Sequence, residues 1–313
     1  MKVYKIFIFF LLFLPFRNLA QKPKIVGLVP MRNESLVIEQ CLRCLSLYTD
    51  AIVVFDDASE DNTVEIVEAL AEECNVERII KKKVWKRDEA ADKSLLLNAG
   101  REIGGTHFIF LDADEMFTAN CLKNNFLRKK ILALQPGDSV RMPWIQLWGG
   151  TDTYRIDDGI TFKVFIFCDE EACGIKNEKK KFIHIKRVPE NLSGKEEHIK
   201  THGVLHFQSI NIKNMAIRES WYRCIERVRH SEAEMPTEII NKRYKYMTNE
   251  SGLQLETVPR SWYKGYDFFD ASAYEKLDLW KRDQIYKWFD EYGFEFFADL
   301  DLPGLSENFG DEK

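Results

Sequence analysis

Short apolar runs alternate with amphipathic stretches through the first third of the chain. Lys24–Pro30 (KIVGLVP), Ala51–Phe55 (AIVVF) and His107–Leu111 (HFIFL) carry almost no polar interruption, and Val76–Ile80 is a weaker run of the same kind. Unbroken apolar runs of this length suit parallel strands covered on both faces. Between them lie helical patterns. Leu36, Ile38, Cys41, Leu42, Leu45 and Leu47 mark the first, Val64, Ile66, Val67, Ala69 and Leu70 the second, and Leu95, Leu96, Leu97 and Ala99, within Asp92–Gly100, the third. Strand and helix in strict alternation predict an α/β fold with a doubly wound, mostly parallel sheet and right-handed crossovers.

Beyond Glu115 the alternation fades. Ala119–Leu134 reads as helix. Ser139–Leu147, Thr161–Phe167 and Gly203–Gln208 read as strands of a mixed, more antiparallel extension of the sheet. Lys213–Glu234 reads as an amphipathic helix with Arg218, Arg223, Arg227 and Arg229 among Trp221, Tyr222, Ile225 and Val228. From Met235 onward the chain is rich in aromatic residues, with a helix around Tyr274–Tyr292 packing back on the sheet. The expected divisions are a leader at 1–20, a first half at 21–118, a second half at 119–234 and a helical extension at 235–313.

The leader stands apart. Lys2 and Lys5 precede the apolar run Ile6–Phe16, and Asn18-Leu19-Ala20 follows. This reads as a secretory signal peptide or a membrane anchor, with a buried N-terminal helix as the alternative. Export, or anchoring with a cytoplasmic face, is the expected localisation. The chain has 313 residues and a formal net charge of −5; without Lys2, Lys5 and Arg17 the balance is 42 basic to 50 acidic residues, or −8. That balance argues against nucleic acid as a partner. Of the seven cysteines, Cys41 and Cys44 lie in a helical pattern with no second metal-type pair. Cys168 and Cys173 could pair after export, while burial as free thiols is the default for the rest.

The chemistry concentrates where strands end. His107–Leu111 runs into Asp112, Asp114 and Glu115. In extended backbone, Asp112 and Asp114 would face the same side and could hold a hard divalent cation; the bland alternative is a solvated helix cap. The first strand ends in Arg32, Asn33 and Glu34, and the second in Asp56 and Asp57. In a parallel sheet these three clusters share one edge, the edge where ligands bind. The basic run Lys81–Lys83 reads as a solvated loop or as an attractor of anions.

Three stretches carry a resemblance: IVGLVPMRNE, VVFDDASEDNTVEI and LLLNAGREIGGTHFIFLDADE. Together, over residues 25 to about 115, they resemble the nucleotide-sugar half of a GT-A-fold glycosyltransferase of family two. The resemblance implies a metal-dependent transfer of a sugar from a nucleotide-sugar donor to a glycan, lipid or protein acceptor hydroxyl, with inversion. It implies that Pro30, Arg32, Asn33 and Glu34 line the nucleotide pocket. Asp57, with Asp56, would accept from the base. Asp112 would meet ribose or metal, and Asp114 would bind Mn²⁺ or Mg²⁺ at the diphosphate. Lys93 and Asn98 are further donor-site candidates. His206 would be a third metal ligand or a core histidine, and His184 is a lesser candidate. The general base is expected at Asp158 or Asp157, with Glu190, Glu196 and Glu197 behind them. Trp144 and Trp148 would stack on a sugar or pack in the core. A nucleotidyltransferase and a non-catalytic carbohydrate- or nucleotide-binding protein on the same sheet are the alternatives.

Overall fold

A computed structural model describes residues 22–157, 160–170, 173–175, 186–245 and 251–305. The leader, Asp158 and His184 lie outside them. The apolar runs form β1 (Ile25–Met31), β2 (Ala51–Asp56), β3 (Val76–Lys81) and β4 (His107–Phe110), joined by α1 (Ile38–Ser46), α2 (Thr63–Leu70) and α3 (Glu89–Glu102). β1 pairs in parallel with both β2 and β4, and β2 with β3, as unbroken apolar runs predict. α3 lies directly on the sheet, because a Cβ at Gly100 would come within 2.7 Å of the Phe108 ring.

The second half extends the same sheet with reversed strands. β5 (Glu115–Phe117), α4 (Phe126–Leu132), β6 (Ser139–Trp148), β7 (Thr153–Arg155), β8 (Thr161–Cys168), β9 (Glu196–His198) and β10 (Val204–Ser209) follow in chain order. β8 pairs antiparallel with both β4 and β6, so the sheet crosses residue 118 without a break. β10 inserts between β5, antiparallel, and β6, parallel. Then come α5 (Ile212–Arg229), α6 (Thr237–Arg243), β11 (Leu255–Thr257), α7 (Ser272–Glu275) and α8 (Trp280–Tyr292). The fold is thus α/β with a mostly parallel half, a mixed extension and C-terminal helices. α5 and α8 enclose a satellite core of Trp221, Ile225, Ile285, Trp288 and Phe289.

Several expectations are corrected. Ala119–Leu134 is not one helix: Asn124 and Asn125 adopt positive φ of 57° and 54°, so a 3₁₀ stretch breaks before α4 begins. Tyr274–Tyr292 is two helices, α7 and α8. Leu47 and Leu95, expected inside, are 46% and 53% exposed. Cys168 and Cys173 do not pair; all seven cysteines are buried free thiols.

Candidate active site

The site grows from strand register. Met31 pairs with Asp56 and Leu28 with Phe110, so the C-terminal ends of β1, β2 and β4 lie side by side. Arg32, Asp57 and Asp112 therefore follow on one edge. Asp112–Asp114 is a turn rather than extended strand, closed by Glu115 N–H donating to Asp112 O at 3.1 Å. His206 pairs with Glu115 across β5 and with Gln146 across β6. That register carries His206 to the turn, with its Nε2 3.5 Å from Asp114 Oδ2. Pro30, Arg32, Glu34, Asp57, Lys93, Asp112, Asp114 and His206 line one cleft of about 760 Å³.

A closed ring of contacts joins the two acids of the turn. Arg187 Nη2 donates to Asp112 Oδ2 at 2.6 Å and to Glu115 Oε1 at 2.7 Å. Trp144 Nε1 donates to the same Glu115 Oε1 at 2.7 Å. The Trp144 ring stacks on His206 at 4.4 Å between centroids, and His206 faces Asp114. Arg218 Nη1, from α5, donates to Asp114 Oδ2 at 3.2 Å. Glu115 is fully buried, and its Oε2 also accepts the Asp112 backbone N–H at 2.9 Å.

These neighbours tune the acids differently. Burial opposes ionisation of Asp114, but His206 and Arg218 outweigh it and hold the carboxyl far below the usual range. Burial raises Asp112, with Arg187 opposing. Glu115 is also buried, yet Arg187 keeps it low. Glu34 is pushed up to about 8 by burial, against the pull of Lys281. Asp57 is raised by burial although Lys82 Nζ donates to its Oδ1 at 2.8 Å.

The chemistry of the donor set fits a cation at Asp114. His206 Nδ1 lies 2.7 Å from Gln146 Oε1. With Nδ1–H donating to that carbonyl oxygen, Nε2 is the nitrogen that faces Asp114, and a cation bound there would take the place of its proton. A metal-ligating imidazole shows the same arrangement, its other nitrogen held by an acceptor. Among the described residues no group of three or more His, Cys, Asp or Glu side chains is placed to hold a metal. The protein would thus supply a carboxylate and an imidazole, and a bound diphosphate the remaining oxygens.

Other expected residues stand elsewhere. Asn33 is buried, accepts the Glu60 N–H at 2.7 Å, and lines a smaller adjoining cavity with Glu34 and Asp114. Asp56 is buried beneath the edge and accepts the Ser59 N–H at 3.1 Å. Asn98 is exposed on α3 and accepts from Arg101 at 3.2 Å. Asp157 does not line the cleft; Arg155 Nε and Nη2 hold it at 2.6 and 2.5 Å. Glu196 pairs with Arg141 Nε at 2.6 Å, and Glu197 with Lys130. Trp144 and Trp148 both line the cleft.

Sequence reasoning missed Arg187, Lys163, Lys82 and the role of Arg218. Arg218 had a signal: with Trp221 and Tyr222 it sits at i, i+3 and i+4, one face of α5, and all three line the cleft. Lys82 is neither a bare loop cation nor an exposed attractor of anions. Its Nζ bridges Asp57 at 2.8 Å and Asp92 at 3.0 Å. Trp85, Trp221 and Trp288 stack at 6.1–6.2 Å, and the Arg32 guanidinium lies 4.6 Å over Trp85.

In an open α/β sheet, ligands bind in the crevice outside the carboxyl ends of the strands, and the paired acids stand at that edge. Residues 28–126 match the family model for glycosyl transferase family 2. Comparison with curated proteins gives no match. Among solved structures, S. aureus TarS 1–349 is similar at 16% identity, covering 72% of this chain and 74% of that one, with a TM-score of 0.40. The same protein in complex with UDP gives 14% identity, 88% and 83% coverage and a TM-score of 0.37. Glucosyl-3-phosphoglycerate synthase from Mycobacterium tuberculosis, in complex with Mn²⁺, UDP and glucosyl-3-phosphoglycerate, gives 19% identity, 41% and 45% coverage and a TM-score of 0.29. Likenesses at these scores carry no inference about substrate.

Proposed function

We propose that this chain transfers a hexosyl unit, with inversion, from a nucleotide-sugar donor to an acceptor hydroxyl, with Mn²⁺ or Mg²⁺ bound. The observation that carries this reading is the turn ending β4: it sets Asp112 and Asp114, both inside the segment that matches the family, in one cleft with Asp57, Arg32 and His206. Asp114 and His206 would hold the cation, which supplies neutralisation of charge on the departing diphosphate. Asp57, fixed by Lys82, would accept a hydrogen bond from the base. Arg218 fixes Asp114. Lys93 lines the cleft with its ammonium 5.7 Å from the Phe110 ring, and would add positive charge for the phosphates. Asp157 is tied to Arg155, so Asp158 is the acid we carry forward as base. The leader is carried forward as an export or anchoring segment; among the described residues no helix is long and apolar enough to cross a membrane.

The test is calorimetric titration of the full chain with UDP, GDP, CMP and dTDP, with and without Mn²⁺, beside Asp114→Ala. Cation-dependent binding of one nucleotide, lost in the variant, supports the reading. Folded protein that binds none of them refutes it. Binding with no turnover of any donor would favour a non-catalytic binder.

A further inference from the structure

The cleft lining contains a cation that the donor site does not use. Lys163, on β8, has no carboxylate within ion-pairing distance among the described residues. Its Nζ rests instead 3.0 Å from the centroid of the Trp144 ring. Most other basic groups of the cleft are matched: Arg32 by Glu60, Arg187 by Asp112 and Glu115, Arg218 by Asp114, Lys281 by Asp278. A half-buried ammonium with no carboxylate in ion-pair contact is costly, and burial together with Arg187 pushes Lys163 down to about 8, although the more distant Glu115 and Asp112 charges oppose the shift. A bound anion would relieve that cost.

The position of Lys163 says which anion. β8 and β10 flank opposite edges of β6, so Lys163 and His206 reach Trp144 from opposite sides. Trp144 thus stands between the Lys163 ammonium and the Asp114–His206 pair, where the diphosphate would lie. β8 also falls outside the family-matched segment that carries Asp57, Asp112 and Asp114. Thr161, exposed on the same strand, pairs with Trp144 on β6 and also lines the cleft.

We propose that the acceptor is anionic, carrying a phosphate or carboxylate close to its reactive hydroxyl, and that Lys163 on the Trp144 ring receives that charge. This rests on the transferase reading and names the class of its acceptor. Lys163 is then a specificity residue, and Trp144 fixes it in place.

The test uses the full chain saturated with UDP and Mn²⁺, so that the donor site is filled. Glycerol 3-phosphate and glucuronate are titrated beside glycerol and glucose at constant ionic strength, by calorimetry and by tryptophan fluorescence. The charged probes bind and the uncharged ones do not. Lys163→Met keeps an unbranched stem on the indole but removes the charge; it weakens the charged probes about tenfold or more. UDP affinity stays within about twofold, and Lys163→Arg restores the probes. A parallel loss of UDP affinity in Lys163→Met would assign Lys163 to the donor diphosphate and overturn the proposal. Wild-type protein that binds UDP but does not distinguish charged from uncharged probes overturns it too. Absence of UDP binding in the wild type moves the same test to whichever of GDP, CMP and dTDP it binds; binding of none is a different failure, which removes the transferase reading, and this inference with it.

Discussion

Glu115→Gln is the sharpest test of how the cleft is held together. Glu115 is fully buried and receives donors from three places: Arg187, the Trp144 indole and the Asp112 backbone N–H. Glutamine keeps the shape but offers one acceptor oxygen, and its amide nitrogen would face a donor. The Arg187 guanidinium, only 9% exposed at its side chain, would lose one of its two carboxylates. Removing one partner of a buried pair costs roughly 3–5 kcal/mol. Asp112 remains on Arg187, so the lower end, about 3 kcal/mol, is expected. That is a large part of the 5–15 kcal/mol that stabilises a typical protein. With a urea slope of about 3 kcal/mol/M, the midpoint should fall by about 1 M. Urea unfolding followed by tryptophan fluorescence and by circular dichroism measures it, and coincident transitions license the two-state value. Nucleotide affinity in cation should fall as well, because Trp144 loses the bond that sets its ring against His206. A midpoint shift corresponding to less than about 1 kcal/mol, with nucleotide affinity unchanged, would show that the ring of contacts is not what holds the turn.

Two further outcomes follow from the same chemistry. Glu34 has a folded value of about 8 against an ordinary 4.5, through burial. The folded protein therefore keeps a proton that the unfolded chain releases, and stability should fall as pH rises from about 4.5 to 8. At about 1.4 kcal/mol per unit the loss is at most about 5 kcal/mol, and Glu34→Gln should flatten it in thermal melts across that range; an unchanged slope refutes the assignment. Because all seven cysteines are buried free thiols, Cys44 and Cys121 with values pushed up to about 12 by burial, a reductant should leave the melting temperature unchanged within about 1 °C. A clear drop would reveal a disulfide.

What the sequence made legible was local. The apolar runs gave four strands, and each strand that ends in acids or Arg32 brings them to one edge, because parallel register leaves no other place for them. What it hid was at long range. Arg187 meets Asp112 across 75 residues and Arg218 meets Asp114 across 104. Both contacts depend on the antiparallel extension, and no short-range period encodes which basic residue will reach which acid. Leu95 misled for the opposite reason: three consecutive leucines cannot all lie on the buried face of a helix, and Leu96 and Leu97 took it. Asp112–Asp114 misled in geometry alone, since a turn brought both carboxylates into one cleft where extended strand was expected.

The turn explains why its two acids are not equivalent. Asp114, only 14% exposed at its side chain, faces both His206 and Arg218 and is held ionised. Asp112, 38% exposed at its side chain, has Arg187 as its single ion-pair partner among the described residues, and that partner is shared with Glu115. Burial moves it toward protonation. A ligand that brings its own hydroxyl or cation to the turn therefore finds two different groups. Asp114 is a fixed anion whose imidazole neighbour can join it in coordination. Asp112 is an acceptor whose counter-ion can be drawn off. One residue of spacing thus separates two roles, and the difference arises from strands β8 and β10 and helix α5, which supply or flank the cations, rather than from the acidic motif itself.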